Sequence, residues 1–502
     1  MKFYLLITIL VLPVIITPKA YSQQLHPFEA RVTVDFSDKL RDWDGFGVNY
    51  VETSRTHDYR ELKEDYSGFS YIDEPQRQEI IELIFGEDGL KPSILKMFLD
   101  PFQEGYTEQA NDNKDPFKIN KKGFDHFTTN ENMLYFARNG VKTSRARGAD
   151  IQIITTLYGP PGWMTRQKIF RGRDLDPAYK YELAEYMIAW AKFLKEDQKL
   201  PLMYLSIHNE GDHYVRWPMD AQTGYHNQHD HNMYWSPAQV VDFVKFMRPM
   251  MNKMGLSDVG LTPGECSDWY KFIGYGYAPA LYEDEEALNN LAILTSHGFI
   301  GDHKDWFGDW RSDGNDLIRL KKPQMHSWVT SMTWGSMNLN FLEDVRRQIY
   351  DAKVNALIPW ATVNTERWWY NSPNVGTAIR IREDKNIYFL EPGYYLYKHV
   401  SRAGQSGMAV ANVLSDHDQV KVIAFSANGS NNPDAFTIIN NNTQNPAKIT
   451  ITLKGAESRD FEAFETHFHT KWSKAGDYKF ENNTLTIEIP QKSVTTFYGV
   501  KN

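Results

Sequence analysis

The sequence predicts an α/β protein, a TIM (β/α)8 barrel with an associated antiparallel β-sandwich at its side. Three observations support this fold class. The chain has 502 residues, more than one ordinary hydrophobic core supports. Its long middle part alternates short apolar runs with helical patterns, which is typical of strands and helices around a parallel sheet. Its two ends alternate apolar and polar residues with a period of two, which is typical of antiparallel sheet.

Residues 45–390 contain the eight apolar runs that we predict as barrel strands. In chain order these runs are GFGVNYV, ILKMFLD, IQIITTLYG, LMYLSIHNE, VGLTPGE, AILTSHGF, PQMHSWVT and ALIPWATVN. The C-terminal ends of barrel strands form the face that carries active sites, so we expect the polar side chains at these ends to meet at one mouth. Those side chains belong to Glu52, Asp100, Tyr158, Asn209, Glu210, Glu265, His297 and Glu366.

Residues 26–44 and 391–502 together form the predicted β-sandwich. FEARVTVDF, near the N-terminal end, has the same period-two alternation as VKVIAFSANG, AFTIINNN, AKITITLKG and LTIEIPQKSVTTFYGV near the C-terminal end. Clusters of Asn, Gly and Asp separate these runs, as expected for turns between antiparallel strands. The two ends of the chain are therefore predicted to meet in one domain beside the barrel.

Residues 1–22 predict a secretory signal peptide. One Lys is followed by an apolar run over residues 3–16 and then by small residues that end near Ser22. No later stretch approaches the about 20 apolar residues that span a membrane, so we expect a secreted or periplasmic protein without a membrane span. The single cysteine, Cys266, excludes an internal disulfide framework.

Charge and aromatic content narrow the class of ligand. The net charge is −9 and no long basic run occurs, which argues against nucleic acid as a partner. Aromatic residues make up 14% of the chain, with 14 Trp and 28 Tyr. They serve either a large core or a cleft in which flat rings stack on the apolar faces of a sugar.

The fourth predicted strand ends in LSIHNEGD, the strongest local signal for chemistry. It brings Asn209 and Glu210 to the barrel mouth, and a protonated carboxyl group there is what glycoside hydrolysis requires. The alternative is that Glu210 caps the next helix or pairs with Arg216. The third strand ends in LYGPPGWMT, whose prolines hold Trp163 rigidly at the mouth near Tyr158. A rigid aromatic ring beside a carboxyl group suits a sugar.

Five motifs stand in order across almost the whole mature chain: DGFGVNY, YGPPGWMT, SIHNEGD, SHGF and IPQKSVTTFYGV. By these motifs the sequence resembles glycoside hydrolase family 30, whose members are retaining enzymes with a barrel and a side β-sandwich. The resemblance implies that Glu210 is the general acid/base and that Asn209 contacts the sugar near the scissile bond. It also implies that His297 and Trp360 contact the substrate, a β-linked poly- or oligosaccharide.

Strand seven, in the stretch KKPQMHSWVTSMTWG, departs from the family pattern. Family members carry a nucleophilic glutamate at the end of this strand, and here Trp328 stands in its place, preceded by His326. Retention requires two carboxyl groups about 5–5.5 Å apart, and an indole cannot attack carbon. A shift of the alignment within this stretch reaches no acid.

Two interpretations of this departure stay open. In the first, Glu265 or Glu366 supplies a second catalytic carboxylate at a wider spacing of about 6.5–9.5 Å, which seats a water molecule and inverts the anomeric carbon. The competing roles are a polar contact at the barrel rim for Glu265 and a salt bridge with Arg367 for Glu366. In the second interpretation the site has lost hydrolysis, and the protein only binds carbohydrate, with His326 and Trp328 in the groove.

The loop HNQHDHNMYW supplies residue types that bind metal ions, namely His226, His229, Asp230 and His231. Their spacing matches no familiar zinc pattern, and histidines near a sugar site commonly donate hydrogen bonds to hydroxyl groups. We therefore predict no required metal and no cofactor. A monomer whose partner is its carbohydrate substrate is expected.

Overall fold

The computed structural model describes residues 26–50, 68–99, 101, 114–124, 130–168, 172–212, 232–299, 304–305, 308–365, 376–382 and 385–501. It confirms the predicted fold class, with a curled parallel sheet and a separate, mostly antiparallel sheet. The predicted signal peptide lies outside the described residues. Among the helices of the described ranges, none is long and apolar enough to cross a membrane.

The bounds of the described elements follow in chain order. The strands are β1 (Phe28–Trp43), β2 (Gly45–Asn49), β3 (Ile94–Leu99), β4 (Gln152–Leu157), β5 (Leu202–Ser206), β6 (Gly260–Thr262), β7 (Glu265–Cys266), β8 (Ile293–Ser296), β9 (Lys304–Asp305), β10 (Gly308–Asp309), β11 (His326–Thr333), β12 (Ala356–Trp360), β13 (Val363–Thr365), β14 (Ile379–Arg382), β15 (Ile387–Leu390), β16 (Met408–Ser415), β17 (Val420–Ser426), β18 (Ala435–Asn440), β19 (Ala447–Lys454), β20 (Asp460–His467), β21 (Thr470–Lys479), β22 (Thr484–Ile489) and β23 (Ser493–Gly499). The α-helices are α1 (Glu74–Phe85), α2 (Asn130–Ala146), α3 (Lys180–Lys192), α4 (Pro237–Lys253), α5 (Trp269–Gly274), α6 (Tyr277–Glu283), α7 (Glu285–Asn290), α8 (Asp313–Lys321), α9 (Leu339–Tyr350) and α10 (Pro392–Ala403).

The parallel sheet is the barrel, in the order β6-β5-β4-β3-β2-β12-β11-β8-β7. Its two end members, β6 and β7, are consecutive halves of the fifth barrel strand, separated only by Pro263 and Gly264. Because β6 pairs with β5 and β7 pairs with β8, the fifth strand closes the barrel. Strands such as β3 and β4 are almost wholly buried, which explains why they read as continuous apolar runs.

The seventh barrel strand differs from its predicted bounds. PQMHSWVT was the predicted strand, whereas β11 begins at His326 and continues to Thr333. β11 pairs with β12 up to the last residue of both strands, and the register of this pairing is irregular between Val329 and Met332. The added residues include polar Ser331 and Thr333, so they lack the apolar run by which a buried strand is recognised in a sequence.

The antiparallel sheet has the order β21-β20-β23-β18-β17-β16-β1-β19-β22. The N-terminal strand β1 pairs antiparallel with β16 and parallel with β19, which confirms that the two ends of the chain meet in one domain. At the end of β1, Trp43 packs against Phe46 of the barrel and Phe425 of the sandwich, with ring centroids 4.8 and 5.1 Å away. This aromatic contact joins the two domains at the start of the first barrel strand.

Candidate functional site

The candidate site begins where the chain continues past β5 and runs beside the fifth barrel strand. Asn209 and Glu265 form a parallel bridge, and the Glu210 N–H donates to the Glu265 carbonyl at 2.8 Å. The Glu265 N–H in turn donates to the His208 carbonyl at 2.9 Å. Glu210 has a φ of 44°, a left-handed conformation that costs free energy for a residue with a Cβ and is found mainly where the surroundings impose it. This backbone places both carboxyl groups on the C-terminal face of the barrel.

His297, which follows β8, joins the polar side chains of this face. Its Nδ1 lies 2.8 Å from Glu210 Oε1, and its Nε2 lies 3.0 Å from both Asn209 Oδ1 and Glu265 Oε2. The Asn209 amide also donates to Asn232 Oδ1 at 3.1 Å. The structure therefore brings together Asn209, Glu210, Glu265 and His297, four of the residues singled out from the sequence. Glu210 is 7% exposed and Glu265 is fully buried.

A buried ion pair lies beneath this group. Lys96 of β3 contacts Glu265 Oε2, and both side chains are inaccessible to solvent. Thr156 of β4 donates to Glu265 Oε1 at 2.6 Å, and Lys96 Nζ also lies 3.1 Å from Ser331 Oγ on β11. Lys96, Thr156 and Ser331 were not predicted from the sequence. The signal that could have identified Lys96 is its position inside ILKMFLD, where a lone cation in a fully buried strand needs a partner.

The charges of the site shift the pKa values of Glu265 and His297 in opposite directions. Burial by itself raises the pKa of Glu265, but the Lys96 ammonium and the His297 ring outweigh burial and hold it at about 2. For His297, burial lowers the pKa, while the hydrogen bond and charge of Glu210, with the hydrogen bond to Glu265, raise it above its ordinary value. The arrangement thus stabilises a carboxylate at Glu265 and a protonated ring at His297.

The partners of Glu265 bear on its predicted role as a second catalytic carboxylate. One of its oxygens is taken by Thr156, and the other by Lys96 and His297. With a pKa of about 2 it is a weak base, and the His297 ring bridges its carboxylate and that of Glu210. These contacts tie the Glu265 carboxylate to the His297 ring on one side and to the Lys96 ammonium on the other.

Aromatic rings line the strand ends next to Lys96. Tyr158 and Trp360 both pack edge-to-face against Phe98, with ring centroids 5.2 and 5.3 Å away, and the Lys96 ammonium lies 4.7 Å from the Phe98 ring. Phe98, at the end of the second barrel strand, was not predicted from the sequence. Trp163, in the loop that follows β4, packs edge-to-face against Tyr179, with ring centroids 5.1 Å apart. The structure thus places Tyr158 and Trp360 beside the ion pair.

The positions of His326 and Trp328 correct the prediction that both contact a ligand. Trp328 has no exposed surface, and its indole N–H donates to Asp44 Oδ2 at 2.7 Å. His326 Nδ1 lies 2.7 Å from the same oxygen. Asp44 precedes the first residue of β2, so both side chains lie toward the N-terminal ends of the barrel strands, opposite the mouth. The residue of β11 that reaches the site is Ser331, three positions further along the strand.

Several predicted positions lie outside the described residues. They are Glu52, Asp100, Glu366 and the histidine loop with His226, His229, Asp230 and His231. Glu366 therefore stays a prediction from the sequence. Within the described ranges, no three His, Cys, Asp or Glu side chains converge in a way that could hold a metal ion.

Gly264, which joins the two halves of the fifth barrel strand, leaves room for His208. Its φ is 91°, and a Cβ at this position would lie 2.1 Å from His208 Cδ2. His208 itself is buried and stacks on Trp235 at 5.7 Å, and burial lowers its pKa to about 4. Because His208 immediately precedes Asn209, a displaced ring moves the backbone that carries the candidate site.

Gly264→Ala should destabilise the protein by more than the about 1–3 kcal/mol that a left-handed backbone costs a residue with a Cβ. Gly255→Ala is the matched control, because Gly255 has a similar φ of 82° but a Cβ there would meet no atom closer than 3.9 Å. The free energies of unfolding in urea measure both effects. Equal losses for the two variants would show that the contact with His208 carries no cost.

The low pKa of Glu265 predicts an acid-dependent contribution to stability. A group whose pKa falls on folding stabilises the native state above its unfolded pKa of about 4.3, and this contribution is lost as the pH falls toward the folded pKa. The difference in unfolding free energy between the wild type and Glu265→Gln should therefore be constant above pH ~5 and shrink from there toward pH ~2. Urea unfolding at a series of pH values measures this difference. A difference that does not change with pH would contradict the ion pair.

The fold of this chain is similar to the folds of several solved glycoside hydrolases. A glycoside hydrolase family 30 endoxylanase from Clostridium papyrosolvens aligns with a TM-score of 0.63 at 16% identity, over 94% of this chain and 100% of its own. A family 30 subfamily 8 xylanase from Clostridium acetobutylicum gives 0.65 at 16% identity, over 93% and 98%. An endo-β1,6-glucanase gives 0.65 at 17% identity, over 96% and 95%.

These alignments show that the chain has a family 30-like fold, as the sequence motifs predicted. Neither a known family profile nor a curated protein sequence matches the chain. At such low identities the likeness extends to the fold, so the chemistry of the site has to be argued from its own residues.

Proposed function

We propose that this chain is a secreted glycoside hydrolase that acts on a β-linked poly- or oligosaccharide, with Glu210 as the general acid/base. The observation that carries the proposal is the hydrogen bond of 2.8 Å between Glu210 Oε1 and His297 Nδ1 at the C-terminal face of the barrel. It gives a carboxyl group at the catalytic face a proton-bearing partner. The predicted signal peptide at residues 1–22 supports export.

The role of Glu210 is to move a proton to the leaving group. When the bond between the anomeric carbon and the glycosidic oxygen breaks, that oxygen takes the proton of Glu210. Water supplies the hydroxyl group of the new sugar end, and the proton that the water loses passes to a carboxylate of the site. His297 shares a proton with Glu210 and is itself held by Glu265, which is paired with Lys96. Asn209, bonded to the same ring, is oriented to contact the sugar.

The second catalytic group is proposed to be Glu366, which follows the eighth predicted strand in the sequence. The burial of Glu265 and its three partners favour Glu366 over Glu265 in this role. The end of β11, where family 30 has its nucleophile, carries Ser331, Met332 and Thr333 in this chain. An acid from the segment after strand eight is then the remaining candidate among those that the sequence suggested.

A carbohydrate-binding protein without hydrolytic activity is the second candidate function. The observation that favours it is that Glu265, whose carboxylate shares the His297 ring with Glu210, is neutralised by Lys96 and is therefore a poor nucleophile or base. In that case Tyr158, Trp163 and Trp360 bind a sugar without cleaving it.

Incubation of the mature protein with a panel of β-linked polysaccharides, followed by proton NMR of the anomer released, tests the proposal. Hydrolysis that is lost in Glu366→Gln supports the enzyme, and the anomer formed first shows whether Glu366 acts as a nucleophile or as a base for water. Binding without hydrolysis across the panel would favour the second candidate instead.

A further inference from the structure

A groove of about 660 Å³ lies between the barrel and the sandwich, apart from the group around Glu210. It is formed by the loop that follows β11, the first turn of α10, the β20–β21 hairpin and two loops of the sandwich. Its lining includes Asn338, Tyr395, Asn441, Phe468, Lys471 and Lys492. Nothing in the proposed reaction uses this groove.

The β20–β21 hairpin holds one wall of the groove in a fixed position. Trp472 stacks on Phe464 with centroids 4.9 Å apart and an interplanar angle of 10°, and the Lys398 ammonium lies 4.9 Å from the Trp472 ring. The backbone N–H of Trp472 donates to Thr466 Oγ1 at 2.9 Å. At the tip, Phe468 is 88% exposed, the highest value among the exposed large apolar side chains of the described ranges. A large ring held in solvent by a braced hairpin is suited to stacking on a ligand.

The groove carries positive charge in a chain whose net charge is −9. Lys471 and Lys492 line it, and no Asp or Glu does. The Lys471 ammonium lies 5.1 Å from the Tyr395 ring, and in the part of the chain that the structure describes no ion pair joins either lysine to an acid. The two cations are therefore available to a negatively charged ligand.

We propose that this groove is a second saccharide-binding site and that its ligand is an anionic saccharide, one that carries carboxylate or sulfate groups. Phe468 supplies an exposed ring face for the sugar, and Lys492, together with Lys471 beside the Tyr395 ring, pairs with its anionic groups. The exposed amides of the lining supply partners for hydroxyl groups. This combination fits a sugar chain better than a neutral apolar ligand, which leaves the lysines unpaired.

The position of the groove makes it useful to an enzyme or binder of long chains. Its residues from Ser336 to Asn340 directly follow β11, and Ser331 of that strand contacts Lys96 in the candidate site. A bound polymer can therefore be held by the same protein at two places, which raises avidity without new contacts at either site. The proposal does not depend on hydrolysis and stands if Glu210 is inactive.

Calorimetric titration of the full mature chain in the Glu210→Gln background tests the site without hydrolysis. The probes are a galacturonate hexasaccharide, which carries carboxylates alone, a carrageenan-derived hexasaccharide, which carries sulfates alone, and neutral xylohexaose. We expect one of the two anionic probes to bind, and the one that binds tells carboxylate from sulfate. Phe468→Ala should weaken the binding of this probe about 3- to 10-fold, and Lys492→Met should weaken it about 2- to 5-fold. High salt should weaken the binding further, because it screens the charge of the lysines.

Two variants at exposed positions away from the groove are the matched controls. Leu320→Ala removes another exposed apolar side chain and Lys448→Met another exposed lysine, and neither should change the affinity for the anionic probe. Binding of neither anionic probe, or binding that Phe468→Ala and Lys492→Met leave unchanged, would overturn the proposal. If Phe468→Ala and Lys492→Met weaken the binding of xylohexaose as much as they weaken the binding of the anionic probe, the proposal that the ligand is anionic is wrong. Hydrolysis is measured separately on the chain with its wild-type Glu210, so a failure of this proposal is distinguished from a failure of the proposed function.

Discussion

Lys96→Met should lower the free energy of unfolding by about 3–5 kcal/mol, because it leaves the buried carboxylate of Glu265 without its cation. Methionine has a length similar to that of lysine, so the loss should come mainly from the uncompensated charge and little from a cavity. Urea unfolding monitored by fluorescence measures it. We expect Glu265 to regain a proton in this variant, since the group that holds its pKa at about 2 is then missing.

The double variant Lys96→Met/Glu265→Gln separates charge from packing. If the lost charge balance is the cause, the double variant should be more stable than Lys96→Met alone, because a neutral amide can still bond to Thr156 and His297. Lys474→Met, which breaks an exposed ion pair with Asp477, should change stability little. Losses that simply add in the double variant would mean that the two side chains do not interact.

Glu210→Gln should lower kcat by about 10²–10⁴-fold on a substrate with an unactivated sugar leaving group, because general acid catalysis contributes about that factor. The amide has the same shape and can still bond to His297, so the folded structure and its unfolding temperature should hardly change. Initial rates of reducing-end release by the wild type and the variant measure the effect.

Aryl glycosides with acidic phenol leaving groups provide the control for this prediction. Such a leaving group departs without a proton, so bond cleavage in Glu210→Gln should be much less impaired on these substrates than on the polysaccharide. An equal loss on both substrates would assign Glu210 a role other than protonation of the leaving oxygen. A matching loss in His297→Phe on the polysaccharide would support the shared proton between the two side chains.

The group around Glu210 could be predicted in part because each of its members ends a barrel strand. Asn209, Glu210, Glu265 and His297 were expected at one mouth from the rule that C-terminal strand ends converge, and the structure brings them together. Their roles did not follow from that rule. For Glu265 the sequence left open a catalytic role and a polar contact at the rim, and it did not indicate the buried Lys96, because that cation comes from another strand.

The error at strand seven has a similar origin. Sequence alignment placed Trp328 at the strand end, whereas pairing of β11 with β12 continues to Thr333. A strand advances by about 3.3 Å per residue, so a residue three positions before the strand end lies about 10 Å away from the mouth, inside the barrel. Trp328 therefore bonds to Asp44 at the opposite end of the barrel from Glu210.

The sequence by itself determined the barrel, the sandwich built from both ends of the chain, and the strand that carries Glu210. These features depend on periodicity and on local order, which are properties of the chain alone. Only the tertiary structure decided that Lys96 neutralises Glu265, that Trp328 lies away from the mouth and that Phe468 projects into a cationic groove. Each of these depends on contacts between residues far apart in the chain, where burial and charge act across strands that no local pattern connects.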